Sequence, residues 1–245
     1  MSSAGLTYKH FGKEIIMNIL TEWNEYEKNQ DKIDLIYNKL YKNFIMSVDA
    51  GDNGINMYPD DIKPKYTDQT TYANRISRMN PSWLEENPDQ SLQFKLAMDI
   101  AEDEFLNQLN SIIRNWIPAY SIVKSSIEKR KEFHPSGNIV FLERFCPWKE
   151  HLLVIEEEMS IKNEVKFCIY RDSDGSYRVQ TIPVSLGSFS YRIGLNEVWR
   201  GLRNEDLVKC SNISDIIFVH TSGFIGGAKS LESSIKMAEQ SLLNK

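Results

Sequence analysis

Cysteine is scarce in this chain: Cys146, Cys168 and Cys210 are all there are in 245 residues, and no two share a CxxC spacing. They complete neither a disulfide framework nor a zinc site, and an intracellular, reducing compartment fits that usage best. A basic excess is lacking as well. Lys and Arg number 29 against 34 Asp and Glu, for a formal net charge of −5, and the pI is near 5.5. Whole-surface attraction to nucleic acid is thereby excluded, and any such contact must be confined to a local patch. Long apolar runs are missing too, so no segment reads as a membrane span. Internal repeats and low-complexity tracts are absent. What is present, 41% hydrophobic and 26% charged residues, is the composition of a soluble globular protein with room for one large core or two modest ones.

The first part of the chain has helical periodicity. Phe11, Ile15, Ile16, Ile19, Leu20 and Trp23 predict one amphipathic helix over 6–23, and Ile33, Ile36, Leu40 and Phe44 predict a second that opens near Asp31. The turn formers of Ser47–Gly54 then predict a loop. A short helix is expected over 71–79. Asp89 caps a long helix whose stripe runs Leu92, Leu96, Ile100, Phe105, Leu109, Ile112, Ile113 and Trp116, with an interruption at Pro118. After His134 the texture changes. Residues 139–142, 165–170, 177–182 and 216–220 read as strands, with Asp172–Gly175 as a hairpin turn between the middle two. Helices are expected near 148–158, 204–210 and 228–243. The reading is α/β, divided into 1–88 and 89–245.

Four groups of residues carry candidate chemistry. Asp49 and Asp52, three apart in a glycine-bearing segment, can direct oxygens at a hard cation, or can equally form a solvated turn that caps the preceding helix. Gly226, Gly227 and Lys229 read as a strand-to-helix turn, whose backbone N–H groups suit an anion or merely allow a tight connection. His220 stands at the end of the preceding strand. Arg178 and Arg200 belong to a run of arginines interleaved with Tyr170, Tyr177, Tyr191 and Trp199. That alternation suits phosphate contacts with base stacking, and it is also what a half-exposed sheet looks like. Cys146 and His151 make a conceivable nucleophilic pair, with a buried thiol and a surface imidazole as the blander reading.

Read in order, several segments resemble one family. Ser3–Leu6, Tyr8–Gly12, Val48-Asp49-Ala50 with Asp52–Ile55, Arg78–Trp83, Cys146–His151, Trp199–Arg203 and Phe218-Val219-His220 with Ser222–Gly227 are all similar to the Myg proteins of the DHH phosphoesterase superfamily. The likeness covers essentially the whole chain. Members of that family begin with a His-Ser-Gly-x-Phe-His-x-Asp-Glu segment, followed by Asp-Val-Gly-Gly and Asp-His-His segments, and none of these occurs here. Ala228 also stands where the superfamily's substrate-binding domain has a His after its glycines.

The resemblance implies the helical remainder of a DHH catalytic domain joined by a long helix to an α/β substrate-binding domain. It implies the C-terminal part of a metal-dependent 3′–5′ RNA exonuclease, located in nucleus and mitochondrion and inactive as this fragment. A non-catalytic nucleic-acid- or nucleotide-binding module is the alternative. Manganese or magnesium is the expected cofactor of the full-length protein, with Asp52 and Asp49 as the ligands that this chain holds. RNA or a short oligonucleotide is the expected partner, held by His220, Gly226, Gly227, Lys229, Arg178 and Arg200, with no membrane and a possible homodimer. Met1–Gly5 runs straight into helical periodicity, which reads as a chain whose earlier segment is absent. Without that segment Phe11, Ile15, Ile19, Ile36 and Phe44 are expected on an exposed apolar patch, or covered by a second copy.

Overall fold

A computed structural model describes residues 1–25 and 29–243. Its helices and one five-stranded mixed sheet make the chain α/β. Two compact units emerge, Met1–Arg114 and Asn115–Lys245, so the long helix that the sequence reading groups with the second part falls in the first unit.

The first unit contains helices only among its described residues. Ser2 caps α1 (Ser3–Glu22) by accepting the Gly5 N–H. The buried face of α1 is Gly5, Tyr8, Gly12, Ile16 and Leu20, while Phe11 and Ile15 are exposed. Hydrophobicity alone finds Ile16 and Leu20 but adds Phe11 and Ile15, and it misses the glycines that line the contact. A Cβ at Gly5 would lie 2.4 Å from Asp49 Oδ1, so only glycine admits that carboxylate. The expected patch is therefore only partly seen. Phe11 and Ile15 are open and Ile19 is half-buried, but Ile36 and Phe44 lie in the core.

Asn29 caps α2 (Gln30–Leu40), which buries Ile33, Ile36 and Leu40. A π-helical turn at Tyr41–Ile45 carries the helix on into α3 (Met46–Asp52). The loop expected over Ser47–Gly54 is therefore helical as far as Asp52. Ser47 donates back to the Phe44 carbonyl at 2.8 Å, so its hydroxyl is used without breaking the helix. Next come α4 (Tyr72–Ser77) and α5 (Gln90–Ser111), capped by Thr71 and Asp89 respectively. In the expected stripe of α5, Leu92 and Leu96 are exposed, and burial begins at Leu109.

In the second unit, α6 (Ile117–Glu128) carries Pro118 in its first turn, directly after a π-helical turn at Ile112–Trp116. A short α7 (Arg130–Phe133) leads into β1 (Ile139–Leu142), followed by α8 (Trp148–Glu158), β2 (Phe167–Arg171) and β3 (Tyr177–Thr181). The chain ends with α9 (Asn204–Ser211), β4 (Ile216–Val219), β5 (Ile225–Ala228) and α10 (Leu231–Leu243). The sheet order is β1-β2-β3-β5-β4. β1 and β2 are parallel and the other neighbours antiparallel. One face packs Val140, Leu142, Cys168 and Tyr170 with the α6 and α8 residues Val123, Trp148 and Leu152. The other packs Ile139, Phe167, Ile169 and Val179 with Leu207 and Met237 of α9 and α10. Each such side chain contributes about 1.5–3 kcal/mol by leaving water.

The glycine segment is the main departure from expectation. It forms β5, a strand paired on both sides, and the next helix starts only at Leu231. Strand register explains the two glycines. Gly226 faces α10, where a Cβ would come within 2.8 Å of Met237 Sδ. Gly227 faces the opposite side, where a Cβ would meet the Phe218 ring at 2.7 Å. Gly226 thereby lets α10 close onto the sheet, and Gly227 leaves room for the Phe218 and Arg178 side chains of the neighbouring strands. The ladder, not a bound anion, takes up the strand's backbone N–H groups. Among the described residues no helix is long and apolar enough to cross a membrane.

Candidate nucleic-acid interface

Three segments of the second unit meet where β3 and β4 end. Thr181 finishes β3, and its hydroxyl donates to the Phe224 carbonyl at 3.1 Å. His220 follows β4, its N–H bonded to the Ile225 carbonyl at 2.9 Å. The chain after β3 then loops outward and back. The loop is closed by a bridge between Pro183 and Tyr191 and by Val184 N–H donating to the Ser190 carbonyl. A buried ion pair pegs its base: Arg192 donates to both Glu156 oxygens, at 2.6 and 2.8 Å, and to the Val165 carbonyl at 2.8 Å. Both partners are almost fully buried, so the bidentate geometry fixes the loop to α8. Tyr191 then crosses to donate to the Ser222 carbonyl.

These contacts enclose a cavity of about 590 Å³ lined by Lys149, Thr181, Phe189, Tyr191, His220 and Phe224, among others. A neighbouring cavity of about 510 Å³ shares Lys149, Gln180 and Leu186 and reaches Tyr170. The first contains no Asp or Glu among its lining residues. Lys149 lies 5.9 Å from the Trp148 ring. Ser222 N–H donates to His220 Nδ1 at 3.1 Å, which puts the proton of the neutral imidazole on Nε2. The ring rests edge-on against Phe224. Phe189 is fully exposed at the lip. One cation, an imidazole donor, several hydroxyls and aromatic faces can together hold a phosphate and stack a base.

The other candidate residues are dispersed. Arg200 stands behind the His220 turn, where it donates to the Leu195 carbonyl and packs against Gly223. Arg178 is engaged by carboxylates, with Asp172 at 2.8 Å and Asp174 at 3.5 Å, and lies over the Phe218 ring. Lys229 is exposed at the end of β5 away from His220, so the two are not brought to one site. Gly226 and Gly227 lie inside the sheet. His151, read as a surface residue, is buried with Nε2 2.7 Å from the Trp116 carbonyl, because α8 turns it inward against Trp116. Burial pushes the Cys146 thiol up, which disfavours the thiolate that a nucleophile needs. Sequence reasoning passed over Lys149, Thr181 and Phe189 as site residues. The signal was there in 183–191, where Val184, Leu186 and Phe189 alternate with serines in a segment with neither helical nor strand periodicity.

Asp49 and Asp52 do not form a metal site by themselves. Asp49 is buried at the N-terminus of α1, where its carboxylate accepts the Ser2 N–H and the Tyr41 hydroxyl, and the Asn53 amide also donates to it. The Ser2 hydrogen bond is the main reason its pKa is lowered. Asp52 is exposed on the last turn of α3. Among the described residues no three His, Cys, Asp or Glu side chains are grouped so as to hold an ion.

Comparison with known proteins gives a consistent result. The MYG1_exonuc family model, described as an uncharacterised protein family (UPF0160), matches residues 1–242. The MYG1 exonuclease of Mus musculus is 42% identical over 243 residues, covering 99% of this chain and 63% of the relative. The MYG1 exonuclease of Homo sapiens is 40% identical over 243 residues, with coverages of 99% and 63%. The MYG1 protein of Dictyostelium discoideum is 41% identical over 244 residues, with coverages of 99% and 72%. The chain thus spans less than two thirds of the length of these mammalian relatives. No solved structure matches.

Proposed function

The chain belongs to the MYG1 exonuclease family, and from that membership we propose that it supplies the substrate-holding part of a metal-dependent exonuclease that works from the 3′ end of RNA. The cleft beside His220 carries the reading. Its lining is free of carboxylates, and it offers Lys149 to a phosphate and Phe189, Tyr191 and Phe224 to bases. In a chain of net charge −5, a local pocket of this kind is the form that contact with a polyanion has to take. Stacking on aromatic faces tolerates any base, as an exonuclease working along a strand requires.

The same proposal assigns no catalytic step to this chain. Two carboxylates, one of them already engaged by three donors, are too few for metal-assisted hydrolysis. Alone, the chain binds single-stranded RNA and does not cleave it.

Fluorescence anisotropy with a labelled single-stranded RNA oligonucleotide tests the binding. Lys149→Ala is expected to weaken it and to lower the salt slope by about one. His220→Ala is expected to weaken it as well. An effect of Lys229→Ala equal to that of Lys149→Ala, or none from Lys149→Ala, would move the phosphate away from this cleft. RNA turnover with manganese or magnesium that Asp52→Ala abolishes would show a complete active site in this chain and refute the non-cleaving assignment.

A further inference from the structure

From Ala50 to Gln108 no residue is buried, yet the stretch is ordered by its own hydrogen bonds. Thr71 and Asp89 cap its helices, Asp68 accepts from the N–H and hydroxyl of Thr70, and Arg78 donates to the Gln69 carbonyl at 3.0 Å. Fixing a residue's backbone costs about 1–2 kcal/mol, and hydrogen bonds in contact with water return only part of that. Large apolar side chains stand in solvent along the same stretch, among them Met57, Tyr66, Trp83, Leu84 and Phe94. An ordered, uncovered, apolar segment marks a contact surface.

Both halves of a contact are present on it. A groove of about 630 Å³ opens between α4 and the start of α5, lined by Ile76, Met79, Pro81, Phe94 and Ala97, among others. Trp83, only two residues beyond Pro81, is 90% exposed and lies outside that groove. A projecting indole and a groove that pairs an apolar wall with the polar Asn80, Gln90, Ser91 and Gln93 are self-complementary, since the indole N–H needs an acceptor. Two-fold pairing demands this, because each copy must present the same patch to the other.

Charge and area agree with that occupant. Residues 55–99 carry seven carboxylates and five cations, so two copies do not face each other with a single sign. At roughly 150–250 Å² for each large aromatic side chain, and somewhat less for the aliphatic ones, the exposed apolar surface is on the order of 1,000–1,500 Å² per copy. Covering about half of it on each side totals roughly 1,000–1,500 Å², close to the ~1,200–2,000 Å² of a stable specific interface.

We propose that two copies of this chain pair through residues 55–100, Trp83 of each entering the α4/α5 groove of the other. Sedimentation velocity on the whole chain tests this, with far-UV circular dichroism as the control for folding. The wild-type chain is expected to be dimeric at micromolar concentration. Trp83→Ala is expected to raise the dissociation constant by about thirtyfold or more, the scale of a buried aromatic anchor. Phe94→Lys, in the groove wall, should act likewise, while Phe11→Lys on the open face of α1 leaves the dimer intact. A monomeric wild-type chain overturns the proposal. So does a monomer in which another part of its own chain protects Trp83 from oxidative footprinting. A dimer broken by Phe11→Lys and indifferent to Trp83→Ala also overturns it.

Discussion

The second unit encloses a sheet between helical layers and buries Trp148, Trp199 and Phe167 almost completely, whereas the first carries Ala50–Gln108 without one buried side chain. Apolar residues are not what separates them, since Trp83, Phe94, Leu92 and Met98 are as apolar as anything in the sheet. The difference lies in partners. β5 is paired on both edges and packed on both faces, so each residue added to it buries surface from several directions. The early turns of α5 satisfy their own backbone within the helix but gain little from packing, so their apolar side chains stay open until something covers them.

That contrast can be tested by substitution. Phe167→Ala, on the interior strand β2 and fully buried, should cost about 3–5 kcal/mol in chemical denaturation of the second unit, the range for a large buried aromatic. A loss below about 1 kcal/mol would mean that the two faces are not packed as described. Gly227→Ala drives a methyl against the Phe218 ring and should cost about 1–3 kcal/mol. If Phe218→Ala restores most of that loss in the double variant, the clash is located there. No recovery would place the strain elsewhere.

Alkaline pH gives a smaller effect in the second unit. Burial pushes the Tyr170 hydroxyl up to about 12, from about 10 in an unfolded chain. The folded state thus holds that proton more tightly. Its stabilising effect is complete below about pH 10 and is lost as pH rises toward about 12. Tyr170→Phe should flatten that limb of the stability profile, and an unchanged slope would count against the burial. Least of all, Leu35→Ala, on the exposed side of α2, should change stability by no more than about 0.5 kcal/mol. A larger loss in the monomer would reveal a covering element for the first unit.

Much of this fold was legible from local pattern. The Asp89 cap, the interruption at Pro118, the Asp172–Gly175 hairpin and the existence of four strands all depend on residues near one another in sequence. The strand at Ile225–Ala228 was not legible, because two adjacent glycines read as a turn unless their neighbours across the sheet are known. The same holds for the buried face of α1, where Gly5 faces a carboxylate from α3. In the candidate site, His220 was read as a candidate from its place at a strand end, though in company with Lys229 and the glycines. Lys149 and Thr181 join it only because α8 and β3 converge there.

By itself the sequence determined the family likeness, the α/β class, most helix and strand positions, and the charge balance that confines any nucleic-acid contact to a patch. Each of these depends on residue identities in order or on periodicity along one segment. Tertiary structure alone decided that Gly226 and Gly227 serve packing, that Arg178 is engaged by Asp172, that Lys229 stands apart from His220, and that Ala50–Gln108 is left uncovered. The reason is physical: a side chain's role is set by what lies within a few ångströms of it, and those neighbours come from distant parts of the chain.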